Sequence, residues 1–144
     1  MADDRPASVQ DVHRCAEAMP HVAVDRSDLD HPVYRVGGRP FVLFRTRRPD
    51  AVDVTTGERY DDVIVLWVAS EEEKQVLLSQ PGTPLFTTPH FDGHRSVLLR
   101  GRDVGRFSRQ EVFELVADAW LSQASARRAR AWLDQQGSAD AGCA

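Results

Sequence analysis

Apolar residues recur at two different periods along this chain, and the switches between them mark out its elements. Val9, Val12, Ala16 and Met19 fall three or four apart, the spacing of one helical face. Residues 8–19 are therefore expected as an amphipathic helix, opened by the capping pair Ser8 and Asp11 and stopped by Pro20. His21 to Val24 is expected as a short strand, followed by an acidic loop from Asp25 to Asp30. Val33 to Val36 and Phe41 to Thr46 then flank Gly37-Gly38. Paired glycines reach positive φ at little cost, so this is a hairpin, with Pro40 beside its turn. Arg47 to Thr56 reads as turns. Asp62 to Val68 is apolar at both parities, with Val63, Val65 and Trp67 on one side and Ile64, Leu66 and Val68 on the other. That pattern suits a central strand covered on both faces.

Ser70 and Glu73 open a second helix to about Ser79, with Val76 and Leu77 turned inward, and Pro81-Gly82 ends it. Leu85 to Thr88 and Arg95 to Arg100 are expected as two further strands, joined through residues 89–93. Ser108 with Glu111 caps a third helix, whose stripe of Val112, Leu115, Val116 and Ala119, with Phe113 and Trp120 beside it, is the strongest helical pattern in the chain. A last helix, from about Ala126 to Gln135, contributes Ala129, Trp132 and Leu133 and carries Arg127, Arg128 and Arg130 on a solvated face. Trp67 and Trp120 are both expected in the core. The order is α-β(3)-α-β(2)-α, and short hairpin links imply an antiparallel sheet of about five strands with the helices on one face. The fold class is thus α+β, a two-layer sandwich. Residues 7–136 form a single domain, and 137–144, small and polar, are expected as a flexible tail.

Composition narrows the class without naming a chemistry. With 42% apolar and 28% charged residues, 144 in all, the chain is globular and of single-domain size. Its longest apolar stretch, Val63 to Ala69, falls far short of the ~20 residues that span a bilayer. Met1 to Pro6 holds two aspartates and none of the basic and apolar character of a secretion signal, so cytoplasmic residence is expected. Cys15, on an amphipathic helix, reads as a small buried hydrophobe, and Cys143 as an incidental exposed thiol; neither suggests a disulfide framework. The net charge of −4 hides a partition. Residues 31–60 hold six arginines against three acids, and 81–110 hold five against two, while the remaining segments are acidic. The basic segments coincide with the expected hairpins. Mutual neutralisation within the fold explains this as well as an anion-binding surface does.

Several stretches carry a family likeness. His31-Pro32-Val33-Tyr34-Arg35-Val36-Gly37-Gly38-Arg39-Pro40-Phe41, the capped helix at Ser70, and Phe86-Thr87-Thr88-Pro89-His90-Phe91-Asp92-Gly93-His94 resemble the MmcQ/YjbR family. The strand at Val97-Leu98-Leu99-Arg100 and the helix through Trp120 continue the likeness, which runs from about Val9 to Leu133. Its most specific piece is Phe86 to Gly93. The resemblance implies a fold similar to secretion-chaperone-like sandwiches and DNA binding through a "double wing" of hairpins. It implies no catalytic residues and no cofactor. Residues 47–62, rich in Asp and Thr, depart from the family pattern as an insertion that lengthens the loop before the central strand.

Each candidate chemistry has a plainer competitor. His90, Asp92 and His94 alternate as ligands on one strand face would, but Gly93 turns the chain between them and no fourth ligand lies near, so no metal site is assigned. A tight turn with its own hydrogen bonds explains them as well. Ser8, Ser70 and Ser108 are caps, Ser96 lacks a strained glycine-flanked elbow, and Gly37-Gly38 lacks the lysine and helix of a phosphate loop. Asp61-Asp62 and Glu71 to Glu73 read as a strand entry and a first helical turn. The arginines remain. Arg35, Arg39, Arg45, Arg47 and Arg48 cluster around the first hairpin, and Arg95, Arg100, Arg102 and Arg106 around the second. Guanidinium forks match phosphates, and Tyr34, Phe44 and Phe91 would add stacking if exposed. The expectation is a non-enzymatic protein that binds DNA through these arginines; the alternative is a small-ligand or protein-partner module with no nucleic-acid role, monomeric or a weak homodimer. What separates them is whether the guanidiniums share an exposed face free of carboxylates.

Overall fold

At the first hairpin, Gly37 and Gly38 take φ of +58° and +79°, which an L side chain rarely adopts, so the tight turn depends on both glycines. In the computed structural model of the chain, residues 5–143 are described, with side chains for 5–137. The elements are α1 (Val9–Ala18), β1 (Val22–Asp25), β2 (Val33–Val36), β3 (Arg39–Phe44), β4 (Val63–Trp67), α2 (Glu71–Ser79), β5 (Ser96–Arg100), α3 (Arg109–Gln123) and α4 (Ala126–Cys143). The strands form one antiparallel meander, β1-β2-β3-β4-β5, so the α+β class and the five-strand sheet hold. The partition differs from the expected three and two: four strands precede α2 and one follows it.

The missing strand is Leu85 to Thr88. It makes only an isolated bridge, Phe86 to Leu98, through two backbone hydrogen bonds of 2.9 Å each. Pro84 and Pro89 on either side withhold ladder donors, and the chain turns at once into a 3₁₀ turn, Pro89–Phe91. The second expected hairpin is thus a single strand, β5, with a loop across its edge.

All the helices that pack on the sheet lie on one face. Val12, Ala16, Val112, Val116 and Trp120 meet Tyr34, Val36, Phe41, Val42, Ile64 and Leu66 in one cluster. A register irregularity between Tyr34 and Arg35 lets two consecutive residues, Phe41 and Val42, both bury toward the helices. The three capping pairs form as expected: Asp11 accepts from the Ser8 amide at 2.9 Å, while Ser70 and Ser108 each accept from the amide three residues on at 3.1 Å. Asp11, buried, also binds Arg5 at 2.7 Å and so ties the N-terminal segment to α1. In α2 the inward residues are Lys74, Leu77 and Leu78; Val76, expected inside, is 58% exposed. Trp120 is fully buried as expected, and its Nε1 donates to the Pro20 carbonyl. Leu133 is exposed, and α4 runs past the expected end at Gln135, helical as far as Cys143 through the segment expected as a tail. The side chain of Cys143, like residues 1–4 and Ala144, lies outside the described residues.

The second face of β4 carries its own cluster, Ala51, Val63, Val65, Phe91 and Leu98, and loops rather than helices cover it. The insertion at residues 47–62 is one of these covers. It folds on a Val52–Arg59 bridge and lays Ala51 and Tyr60 against the sheet. The 3₁₀ turn at Phe91 is the other.

Candidate binding cleft

Between these two loop covers the sheet is incompletely roofed. Cross-strand neighbours Val33, Leu43 and Val65 form an apolar floor, with Trp67 beside them. Phe91 walls the space, which has a volume of about 560 Å³, within the range of small-molecule sites. Asp28 and His31 stand at one end, and Arg45, Arg48, Asp50 and His90 at the rim. Trp67, expected in the core, is only partly buried; its ring meets His94 edge-on at 5.5 Å.

The loops over this face are held by discrete polar bonds. Arg45 is buried and donates to both carboxylate oxygens of Asp50, at 2.6 and 3.0 Å, with its guanidinium 4.9 Å from the centre of the Phe91 ring. Thr88 Oγ1 donates to the same carboxylate at 2.7 Å. The Arg45 bonds dominate, and with Thr88 they outweigh desolvation to hold the Asp50 carboxyl down at a pKa of about 2. Lys74, the chain's only lysine, is buried on α2 and donates to the carbonyls of Phe91 at 2.7 Å and His94 at 2.8 Å. It therefore clamps the 3₁₀ turn from beneath, a role that the helical spacing of Lys74 with Leu77 and Leu78 signals only once the turn's position is known.

The sequence-predicted arginines divide into two groups. Arg45, Arg47 and Arg100 are in ion pairs, with Asp50, Asp61 and Asp62 respectively. Arg100 lies over the Tyr60 ring at 3.6 Å and bonds Asp62 at 2.9 Å, and Asp62 also accepts from the Arg102 backbone amide. Arg35 is half-buried; its charge adds to two Ser27 hydrogen bonds that lower the Asp25 carboxyl. Arg39, Arg48, Arg95 and Arg102 are exposed with no ion pair among the described residues, while exposed Arg106 donates to the Gly82 carbonyl at 2.6 Å. These do not converge. Arg39 sits at the hairpin turn, Arg48 at the cleft rim, and Arg95 and Arg102 beyond opposite ends of β5. Arg47, Arg59, Arg100 and Arg102 do line a second groove, but Asp53, Glu58 and Asp61 line it too. Tyr34, Phe44 and Phe91 are buried and offer no exposed ring.

His90, Asp92 and His94 are not brought together: no group of three metal-ligating side chains converges among the described residues. His94 Nδ1 instead meets Ser96 Oγ at 2.7 Å. A serine and histidine at this distance have the spacing of an activated nucleophile, yet Ser96 is fully buried, so its hydroxyl is closed to a substrate. Burial and the neighbouring Lys74 and His90 charges lower the His94 pKa. The thiol of Cys15, half-buried on α1, is pushed up by burial and so is a poor nucleophile. No helix among the described residues is long and apolar enough to cross a membrane.

Comparison with known proteins places this architecture. The chain is 34% identical over 76 residues to the uncharacterized proteins Rv2570 of Mycobacterium tuberculosis and Mb2600 of Mycobacterium bovis, a span covering 53% of this chain and 57% of each relative. The match therefore takes in little more than half the length of these relatives. No solved structure matches. The YjbR family model matches residues 16–122, a span that contains the whole five-strand meander, α2 and nearly all of α3. The chain belongs to the YjbR family.

Proposed function

We propose that this protein is a non-catalytic binding module whose ligand occupies the cleft on the loop-covered face of the sheet. One observation carries the reading. The two most distinctive stretches of the sequence, His31 to Phe41 and Phe86 to His94, lie far apart in the chain, yet both supply side chains to this one cleft: His31 and Val33 from the first, His90 and Phe91 from the second. Its floor also keeps Val33, Leu43 and Trp67 partly exposed. Covering apolar surface is favourable by roughly 25 cal/mol per Å², so a concave, partly exposed floor favours a ligand with an apolar face.

The DNA-binding alternative has less in its favour. Phosphate binding needs guanidiniums available to an anion, and Arg45, Arg47 and Arg100 already hold carboxylates. It retains the dispersed Arg39, Arg48, Arg95 and Arg102.

Two titrations separate the readings. Trp67 borders the cleft, so a set of small aromatic fragments is expected to perturb emission that Trp67→Phe removes, and Leu43→Asp is expected to abolish the response in a protein that still melts cooperatively. A labelled duplex is expected to show no anisotropy change at low salt. Tight, strongly salt-dependent duplex binding, lost on combined substitution of Arg39, Arg95 and Arg102, would overturn the cleft reading in favour of DNA.

A further inference from the structure

The polar groups around the cleft are unequally engaged. Both carboxylates at its rim are already occupied: Asp50 accepts from Arg45 at both oxygens and from Thr88 as well, while Asp28 accepts from the Asp30 amide at 3.0 Å and contacts His31 Nδ1 at 3.0 Å. The donors are not. Among the described residues neither the exposed Arg48 side chain nor the exposed His90 ring makes a hydrogen bond or ion pair, and the His90 ring meets Phe91 edge-on at 5.1 Å. A carboxylate only accepts and a guanidinium only donates. A ligand amine entering here meets carboxylates that already have N–H or cationic partners, whereas a ligand anion finds donors waiting. Val33, Leu43 and Val65 come from three adjacent strands in one cross-strand row, which makes the floor apolar, with Val33 and Leu43 partly exposed and Val65 buried beneath. Trp67 borders that row.

We propose that the cleft binds a small planar aromatic anion, its ring lying on the Val33–Leu43 floor beside Trp67 and its carboxylate held at the rim by Arg48 and His90. This rests on the cleft being the binding site and adds the chemical class of what it takes. The guanidinium fork of Arg48 suits a bidentate carboxylate, and its exposed position leaves it free to swing over a bound ring. The apolar floor selects against free phosphate and other anions without a ring, because they gain nothing from the surface they would cover. Arg45 is held at the rim by its bonds to Asp50, so that both charges are already paired.

Three probes with one ring system test this: 2-naphthoate, 2-naphthylmethanol and 2-naphthylmethylamine, titrated against the full chain by calorimetry at neutral pH. The expected order is carboxylate first, alcohol second and amine weakest. Arg48→Gln, at an exposed position that leaves the fold intact, is expected to weaken 2-naphthoate by about tenfold, as for one charge-assisted contact, and to leave the alcohol unchanged. His90→Ala is expected to weaken the acid by a smaller factor. Equal or tighter binding of the amine, or an acid preference that survives both substitutions, overturns the anion assignment while the cleft reading stands. Failure of all three probes, or binding that Leu43→Asp does not disturb, overturns both.

Discussion

The two faces of the sheet are covered in physically different ways. On the helix side α1 and α3 satisfy their own backbone groups internally and present apolar stripes, so Trp120, Tyr34, Phe41, Val36 and Val42 are excluded from water almost completely. On the other side the covers are loops. A loop brings backbone groups and charges that need individual partners, and several find them: Asp50 for Arg45, Asp62 for the Arg100 Nε, and Lys74 for the carbonyls of Phe91 and His94. Such bonds pin the loops at points and leave space between the points. The cleft is that space. The helix-covered face is closed to water, and the loop-covered face keeps a cleft.

That contrast can be broken experimentally, beginning with the substitution expected to cost most. Trp120→Ala is expected to cost about 3–5 kcal/mol in denaturant unfolding, because its ring is fully enclosed. Trp67→Ala, on the partly open face, is expected to cost only about 1–2 kcal/mol. Equal losses would mean that the two faces are equally packed.

Next in size is the Arg45–Asp50 pair. Arg45→Ala leaves Asp50 without its main partner and is expected to cost about 2–3 kcal/mol, less than a fully enclosed pair because Asp50 keeps some solvent contact. The pair also sets an acid response. An unfolded aspartate titrates at 3.8 and the folded Asp50 at about 2, so its stabilisation is full above the unfolded value and is lost as pH falls toward the folded one. Asp11, whose carboxyl is held low chiefly by Arg5, acts in the same direction. Unfolding measured at pH 7 and pH 3 is expected to show a smaller loss for Asp50→Asn than for the parent protein.

Lys74→Met keeps the length of the side chain and removes both donors to the loop. It is expected to cost about 1–3 kcal/mol and to shift the His94 ring signals in an NMR spectrum, since the turn they sit on is released. The smallest effect belongs to Arg47→Ala: both partners of Arg47–Asp61 are more than half exposed, and the denaturation midpoint is expected not to move.

Local signals were enough for much of the architecture. The serine-acid pairs at Ser8, Ser70 and Ser108, the glycine pair at 37–38 and the doubly apolar run at 63–68 specify caps, a hairpin and a central strand through groups within a few residues of one another. Where the outcome depended on distant partners, the pattern misled. Leu85 to Thr88 has strand composition, yet its neighbours in space admit one bridge only. Val76 and Leu77 are both apolar, and only the direction from which the sheet approaches α2 decided that Leu77 and Lys74 face inward.

The charge partition shows the same divide most clearly. Windows of sequence set the arginines of residues 31–60 and 81–110 apart from the acids that follow, but Asp61 and Asp62, just past the first window, are the partners of Arg47 and of Arg100. By itself the chain determined its antiparallel sheet and its capped helices, because those follow from short-range periodicity and hydrogen bonding, and its residue stretches carried the family likeness. Only the tertiary structure decided which guanidiniums are neutralised and which remain available at the cleft. A Coulomb pair depends on separation in space, and Arg100 and Asp62 become neighbours only when β4 and β5 align.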